Sequence, residues 1–138
     1  MIKTEEYTNH GLTQMDTDKK KLPEGWEWKK LIDCCNRKDQ IVSGPFGSNL
    51  KVSDYKLKGV PIIRLQNIGD GYFINKCIKY ISHEKAQELH YHSYKPGDLV
   101  LAKLGIPIGK TCFIPEDFPA GIIVADVVRI RPNEIDID

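Results

Sequence analysis

Apolar residues in this chain come in short bursts separated by glycine, proline, asparagine and aspartate, and the bursts have the length of strands. The most apolar, Val60-Pro61-Ile62-Ile63, predicts a strand over Val60 to Leu65 that is followed by a turn at Gly69, Asp70 and Gly71. Asp98 to Leu104, rich in Leu and Val, predicts a second strand, and Gly109 to Ile114 its return after a turn at Gly105, Ile106 and Pro107. Beyond a loop bracketed by Pro115 and Pro119, Ile122 to Ile130 predicts one long final strand. Residues 39–42, Asn49 to Val52 and the loosely alternating Tyr72 to Ile81 give weaker strand patterns.

Helical spacing occurs twice. Trp28, Leu31, Ile32 and Cys35 fall at i, i+3, i+4 and i+7, which predicts a short helix with its aromatic and aliphatic face in the core. Ser82 fits an N-cap, with Ile81 and Ala86 placed as a hydrophobic staple and Glu84 in the first turn, for a helix ending near Leu89 or His90. The sum is an α+β fold: a single domain of short, twisted, partly barrel-like antiparallel β-sheet with two short helices. Residues 1–21 read as a flexible tail ending in Lys19, Lys20 and Lys21, residues 22–133 as the domain, and 134–138 as an acidic tail. Val60, Ile62, Leu99, Leu101 and Val128 are the expected core.

The chain's 138 residues suit one such domain. No apolar run approaches the length of a membrane span, and the N-terminal MIKTEEYTNH lacks the hydrophobic core of a signal peptide, so a cytoplasmic location is expected. Cys34 and Cys35 are adjacent while Cys77 and Cys112 stand far apart; without a CxxC pair, they read as reduced thiols and no metal is expected. His90 and His92 are the only close histidine pair, and exposed surface histidines are the commoner outcome. Charge changes the picture more, because the net value of +1 is unevenly spread. Residues 43–79 carry six basic groups against two acidic, an excess of +4, whereas 116–138 carry two against six. A basic excess on a glycine-rich segment suits phosphate contact; it is also what an ordinary solvated face would show.

Catalysis finds little support. In Gly105-Ile106-Pro107-Ile108-Gly109-Lys110-Thr111 only three residues separate the glycines, one short of a Walker loop, and the following CFIPEDFP cannot form the helix that would hold phosphate. There is no GxSxG elbow and no NPPY- or DPPY-type methyltransferase string, and the acids Glu84 with Glu88 suit an exposed helix face. The chain reads as a non-enzyme that needs no cofactor. Arg64, Gln66 and Asn67, by contrast, are side chains shaped to meet base edges: arginine fits guanine, and the amides fit adenine. The plainer alternative is a strand and turn in which Arg64 lies on solvent and Asn67 stabilises the bend.

Four strings, LPEGWEW, SGPFGSNLK, GVPIIRLQNI and KPGDLVLAKLG, resemble the target recognition domain of the specificity subunit of type I restriction-modification enzymes, in that family's order. The resemblance covers about Leu22 to Asn133, with Ile32 standing where the family often has glycine. It implies sequence-specific binding of double-stranded DNA. It also implies partners: modification subunits that use S-adenosylmethionine to methylate adenine, and a restriction subunit that uses ATP. The family continues into a spacer helix, which is expected to be absent because no heptads occur. On this reading Ser48, Asn49, Arg64, Gln66 and Asn67 are candidates for base edges and Lys51, Lys56, Lys58 and Lys110 for phosphates, with Lys103 suited to either. The alternative is a severed recognition domain that acts as a protein-interaction module for modification subunits without specific DNA affinity.

Overall fold

The computed structural model describes residues 21–132, so both expected tails lie almost wholly outside the described residues. The chain divides into two compact units, Met1–Lys30 and Leu31–Asp138. In the described part of the first, Trp26 N–H closes a turn onto Pro23 O and Lys29 pairs with Glu27.

Among its described residues the second unit carries eight short strands: β1 Ile41–Ser43, β2 Val60–Ile63, β3 Lys79–Ile81, β4 Ser93–Tyr94, β5 Leu99–Ala102, β6 Thr111–Phe113, β7 Gly121–Ile123 and β8 Val127–Ile130. They form two four-stranded sheets, ordered β1-β8-β5-β6 and β3-β2-β7-β4. Every pair is antiparallel except β2 with β7, which is parallel. The α+β reading holds, but the barrel-like closure does not: neither sheet closes on itself among the described residues.

One core lies between the sheets, where Val100, Ala102, Cys112 and Val127 of the first meet Ile63, Tyr94 and Ile123 of the second, joined by Ile114 and Phe118. A smaller cluster, Leu50, Ile62, Ile81, Leu89 and Ile122, covers the far face of the second sheet. The parallel pair β2–β7 is therefore buried on both sides, which explains why both strands read as continuous apolar runs. The helix α1, His83–Glu88, packs here through Ala86, and the Ser82 hydroxyl accepts from Lys85 N–H at 3.1 Å as its N-cap.

Several expectations are corrected. The stretch expected as one final strand is two: β7 ends in the second sheet, residues 124–126 cross over, and β8 starts in the first, with Val127 N–H turned back onto Val124 O at 3.0 Å. Asn49 to Val52 forms turns, and in Tyr72 to Ile81 only Lys79–Ile81 is a strand. The first helix is a single 3-10 turn, Leu31–Cys34, and Trp28, Leu31 and Ile32 are exposed, so that face is not core. Of the expected core, Ile62 is fully buried, while Val60, Leu99, Leu101 and Val128 are half-buried. Val100, Ala102 and Val127 are the residues that point inward.

The phase of β5 and β8 follows from charge. Asp98, with 1% of its surface exposed, accepts Arg131 Nε at 2.7 Å and Nη2 at 2.6 Å, together with Lys95 N–H at 2.9 Å. That bidentate grip raises the guanidinium's pKa through the hydrogen bond to Asp98. Arg129 also faces in, opposite Val100 and Val42, and donates to Ser93 O at 3.0 Å and to Asp39 O, thereby tying β8 of one sheet to β4 of the other. Burial lowers its pKa.

Candidate nucleic-acid interface

The sheet β1-β8-β5-β6 brings its loops to one end. In antiparallel order, the C-terminal ends of β1 and β5 lie beside the N-terminal ends of β8 and β6. Backbone hydrogen bonds fix the order of what emerges: Gly44 N–H to Val127 O at 2.9 Å, Lys103 N–H to Asp126 O at 2.9 Å, Ala102 N–H to Lys110 O at 2.9 Å, and Gly71 N–H to Thr111 O at 2.9 Å. Three loops thus share one end: the glycine-rich loop after Ser43, the hairpin Lys103 to Lys110, and the turn at Gly69 to Gly71.

The glycine-rich loop is held by its first residues and presented by the rest. A Cβ on Gly44 would lie 1.8 Å from Val124 O, so only glycine lets β1 leave the sheet past the crossover. Pro45 is buried, whereas Phe46, Ser48 and Asn49 are exposed, in a turn closed by Asn49 N–H to Phe46 O at 2.8 Å. Lys103 Nζ donates to Ser43 Oγ at 2.6 Å, and His92 Nδ1 donates to Ser43 O at 2.8 Å, so the base of this loop is tied to the hairpin and to the turn before β4. His90 and His92 lie on a 3-10 turn, and His90 Nδ1 donates to Gln87 O.

The loop that follows β2 is organised differently from the expected base-reading strand. β2 ends at Ile63 and a 3-10 turn, Leu65–Asn67, takes over. Asn67 has no exposed surface; its Oδ1 accepts Arg64 N–H at 3.1 Å, and its Nδ2 donates to Ile74 O and Lys76 O, both at 3.1 Å. A side chain so enclosed holds the loop's shape and has no surface to offer a base. Arg64 is half-buried, with Nη2 donating to Cys77 O at 2.8 Å. Gln66 remains exposed. Cys112 lies beside this loop, its thiol pushed up to about 11 by burial and eased back by a hydrogen bond with the Gly69 backbone.

The structure therefore gathers Ser48, Asn49, Lys103 and Lys110 at one end, with Gln66 on the adjoining loop and exposed Lys51 just past the buried Leu50. It does not bring Lys56 and Lys58 there. Lys56 bridges Tyr80 on the outer edge of β3, and Lys58 lies in the turn before β2, at the opposite end of that strand from Arg64. Exposed apolar residues at the shared end, among them Phe46, Leu104, Ile106 and Ile108, escaped the sequence reading as site candidates. Their signal was present, since large apolar side chains inside a turn have no core to enter. No group of three or more His, Cys, Asp or Glu side chains among the described residues is placed to hold a metal.

Comparison of the whole fold with solved structures gives matches over nearly the entire chain. One is a chain of a type I restriction-modification system, solved in work on its complex assembly and conformational transition, with TM-score 0.56, 21% identity and coverage of 94% of this chain and 33% of that one. Another is the HsdS subunit from Thermoanaerobacter tengcongensis, with TM-score 0.51, 20% identity and coverage of 94% and 31%. The chain has the fold of part of a type I specificity subunit. It spans about a third of the length of these two chains. Neither family models nor curated proteins gave a match. No described helix is long and apolar enough to cross a membrane.

Proposed function

We propose that the chain is a non-catalytic DNA target recognition domain of the type I specificity kind, acting in the cytoplasm to direct methyltransferase and restriction subunits to a sequence in double-stranded DNA. The observation that carries the reading is the convergence of the glycine-rich loop, the Lys103–Lys110 hairpin and the Gly69–Gly71 turn on one end of a fold otherwise found in HsdS subunits. Loops on a rigid sheet vary without disturbing the core, which is what a specificity element requires.

On this reading Lys51, Lys103 and Lys110 set register on phosphates, while Ser48, Asn49 and Gln66 are the exposed polar side chains available to base edges. Arg64 reaches a guanine only by giving up its bond to Cys77 O. Asn67 serves from behind, as the brace that presents Gln66. Lys56 and Lys58, at the other end of β2, would meet a separate stretch of backbone or none. A titration of random-sequence duplex at several salt concentrations tests the proposal. Neutralising three phosphates, one for each of Lys51, Lys103 and Lys110, gives a slope of log affinity on log salt of about −2.7, at roughly −0.9 per phosphate. A flat response leaves the protein-interaction reading in its place.

A further inference from the structure

The hairpin between β5 and β6 presents apolar side chains to solvent at its tip. Ile106 is 99% exposed, Ile108 71% and Leu104 54%, in a segment whose glycines at 105 and 109 adopt φ of +111° and +88°. Those left-handed glycines let the ribbon turn without folding its isoleucines back onto the sheet. At the shoulders stand Lys103, pinned through Ser43, and Lys110, whose carbonyl closes the ribbon onto Ala102 N–H. A fully exposed isoleucine contributes nothing to the core, so its chemistry is directed outward. An apolar tip between two cationic shoulders fits a ligand that is apolar at depth and anionic at its rims.

Duplex DNA has that profile in one groove. The major groove, about 12 Å wide, admits a two-stranded β-ribbon without deformation and carries thymine methyl groups as the apolar feature of its floor, whereas the minor groove, about 6 Å wide, takes a ribbon only when the duplex is kinked and widened and shows no methyl group. We infer that the Lys103–Lys110 hairpin enters the major groove, with Ile106 and Ile108 packing on thymine methyl groups and the two lysines meeting phosphates on either side. The inference rests on the DNA-binding reading and adds to it a means of specificity: an apolar preference for thymine, separate from any hydrogen bond made by Ser48, Asn49 or Gln66.

Replacing thymine by uracil removes only the methyl group, so it isolates this contact. A duplex enriched from a random pool by the full chain is resynthesised with uracil at each thymine in turn, and binding is followed by fluorescence anisotropy. At one or two positions uracil is expected to weaken binding roughly fourfold, the equivalent of exposing one carbon. Ile106→Ser or Ile108→Ser should abolish that difference while leaving the melting temperature unchanged, since neither side chain is buried. Binding that is indifferent to uracil everywhere, an enriched sequence without thymine, or a uracil penalty of equal size in both variants overturns the hairpin's role and leaves DNA binding standing. Failure to bind any duplex overturns both.

Discussion

Asn67 and Gln66 are neighbours with the same chemistry and opposite circumstances. The buried amide of Asn67 satisfies one N–H and two carbonyls, and replacing it by alanine removes the partner of all three. Asn67→Ala is therefore expected to cost at least about 1–3 kcal/mol in urea denaturation, while Gln66→Ala, at an exposed position, leaves the midpoint unmoved. Gly44 carries a comparable constraint through space alone. Gly44→Ala places a methyl group against Val124 O, and a loss on the order of 1–3 kcal/mol should show in the melting curve. Cys112 offers a pH test. Burial raises its thiol from 9.0 to about 11, so the protonated form is favoured in the fold, and its contribution is whole below pH 9 and lost as pH rises to about 11. Stability should fall across that window, and less so in Cys112→Ala. At pH 8, iodoacetamide should modify exposed Cys77 in the native protein and reach Cys112 only after unfolding.

Among the elements, β5 shows how far a pattern carries. In Asp98-Leu99-Val100-Leu101-Ala102 the residues after the aspartate are apolar on both faces, so a strand is visible while the phase of its inward face is not. The larger leucines suggest the core, yet the buried ion pair of Asp98 with Arg131 places Val100 and Ala102 inside. Leu101→Ala should consequently cost less than Ile123→Ala, which opens a cavity at a fully buried site and is expected to lose about 2–5 kcal/mol. Equal losses in parallel denaturation experiments would place Leu101 inside after all. The helix α1 was the easier element. Its cap, first-turn acid and the staple positions Ile81 and Ala86 all lie within six residues, and both apolar residues enter the same cluster. Trp28, Leu31 and Ile32 had equally good spacing, but four residues of 3-10 turn bury no face.

For the whole molecule, the division between the two ends of β2 makes a prediction about charge. Lys103→Ala and Lys110→Ala should each lower the salt slope by about one and weaken all sequences alike, whereas Lys58→Ala, remote from the shared end, should leave the slope unchanged. What the sequence determined by itself was local. Turn chemistry at Gly69-Asp70-Gly71 and at Gly105–Gly109, the presence of strands around Val60, Leu99 and Thr111, the Ser82 cap and the α+β class all follow from residues that act within a few positions of one another. The glycine-rich segment and the hairpin after β5 were also legible as loops. Tertiary structure decided the rest, because pairing energy depends on which strands meet. It split Ile122 to Ile130 between two sheets, placed β2 parallel to β7 and buried the pair on both faces. It withdrew Asn67 from the surface and separated Lys56 and Lys58 from Lys103 and Lys110. A residue's type states what it is able to bind; only its neighbours in space decide whether that capacity is spent inside the fold or left for a partner.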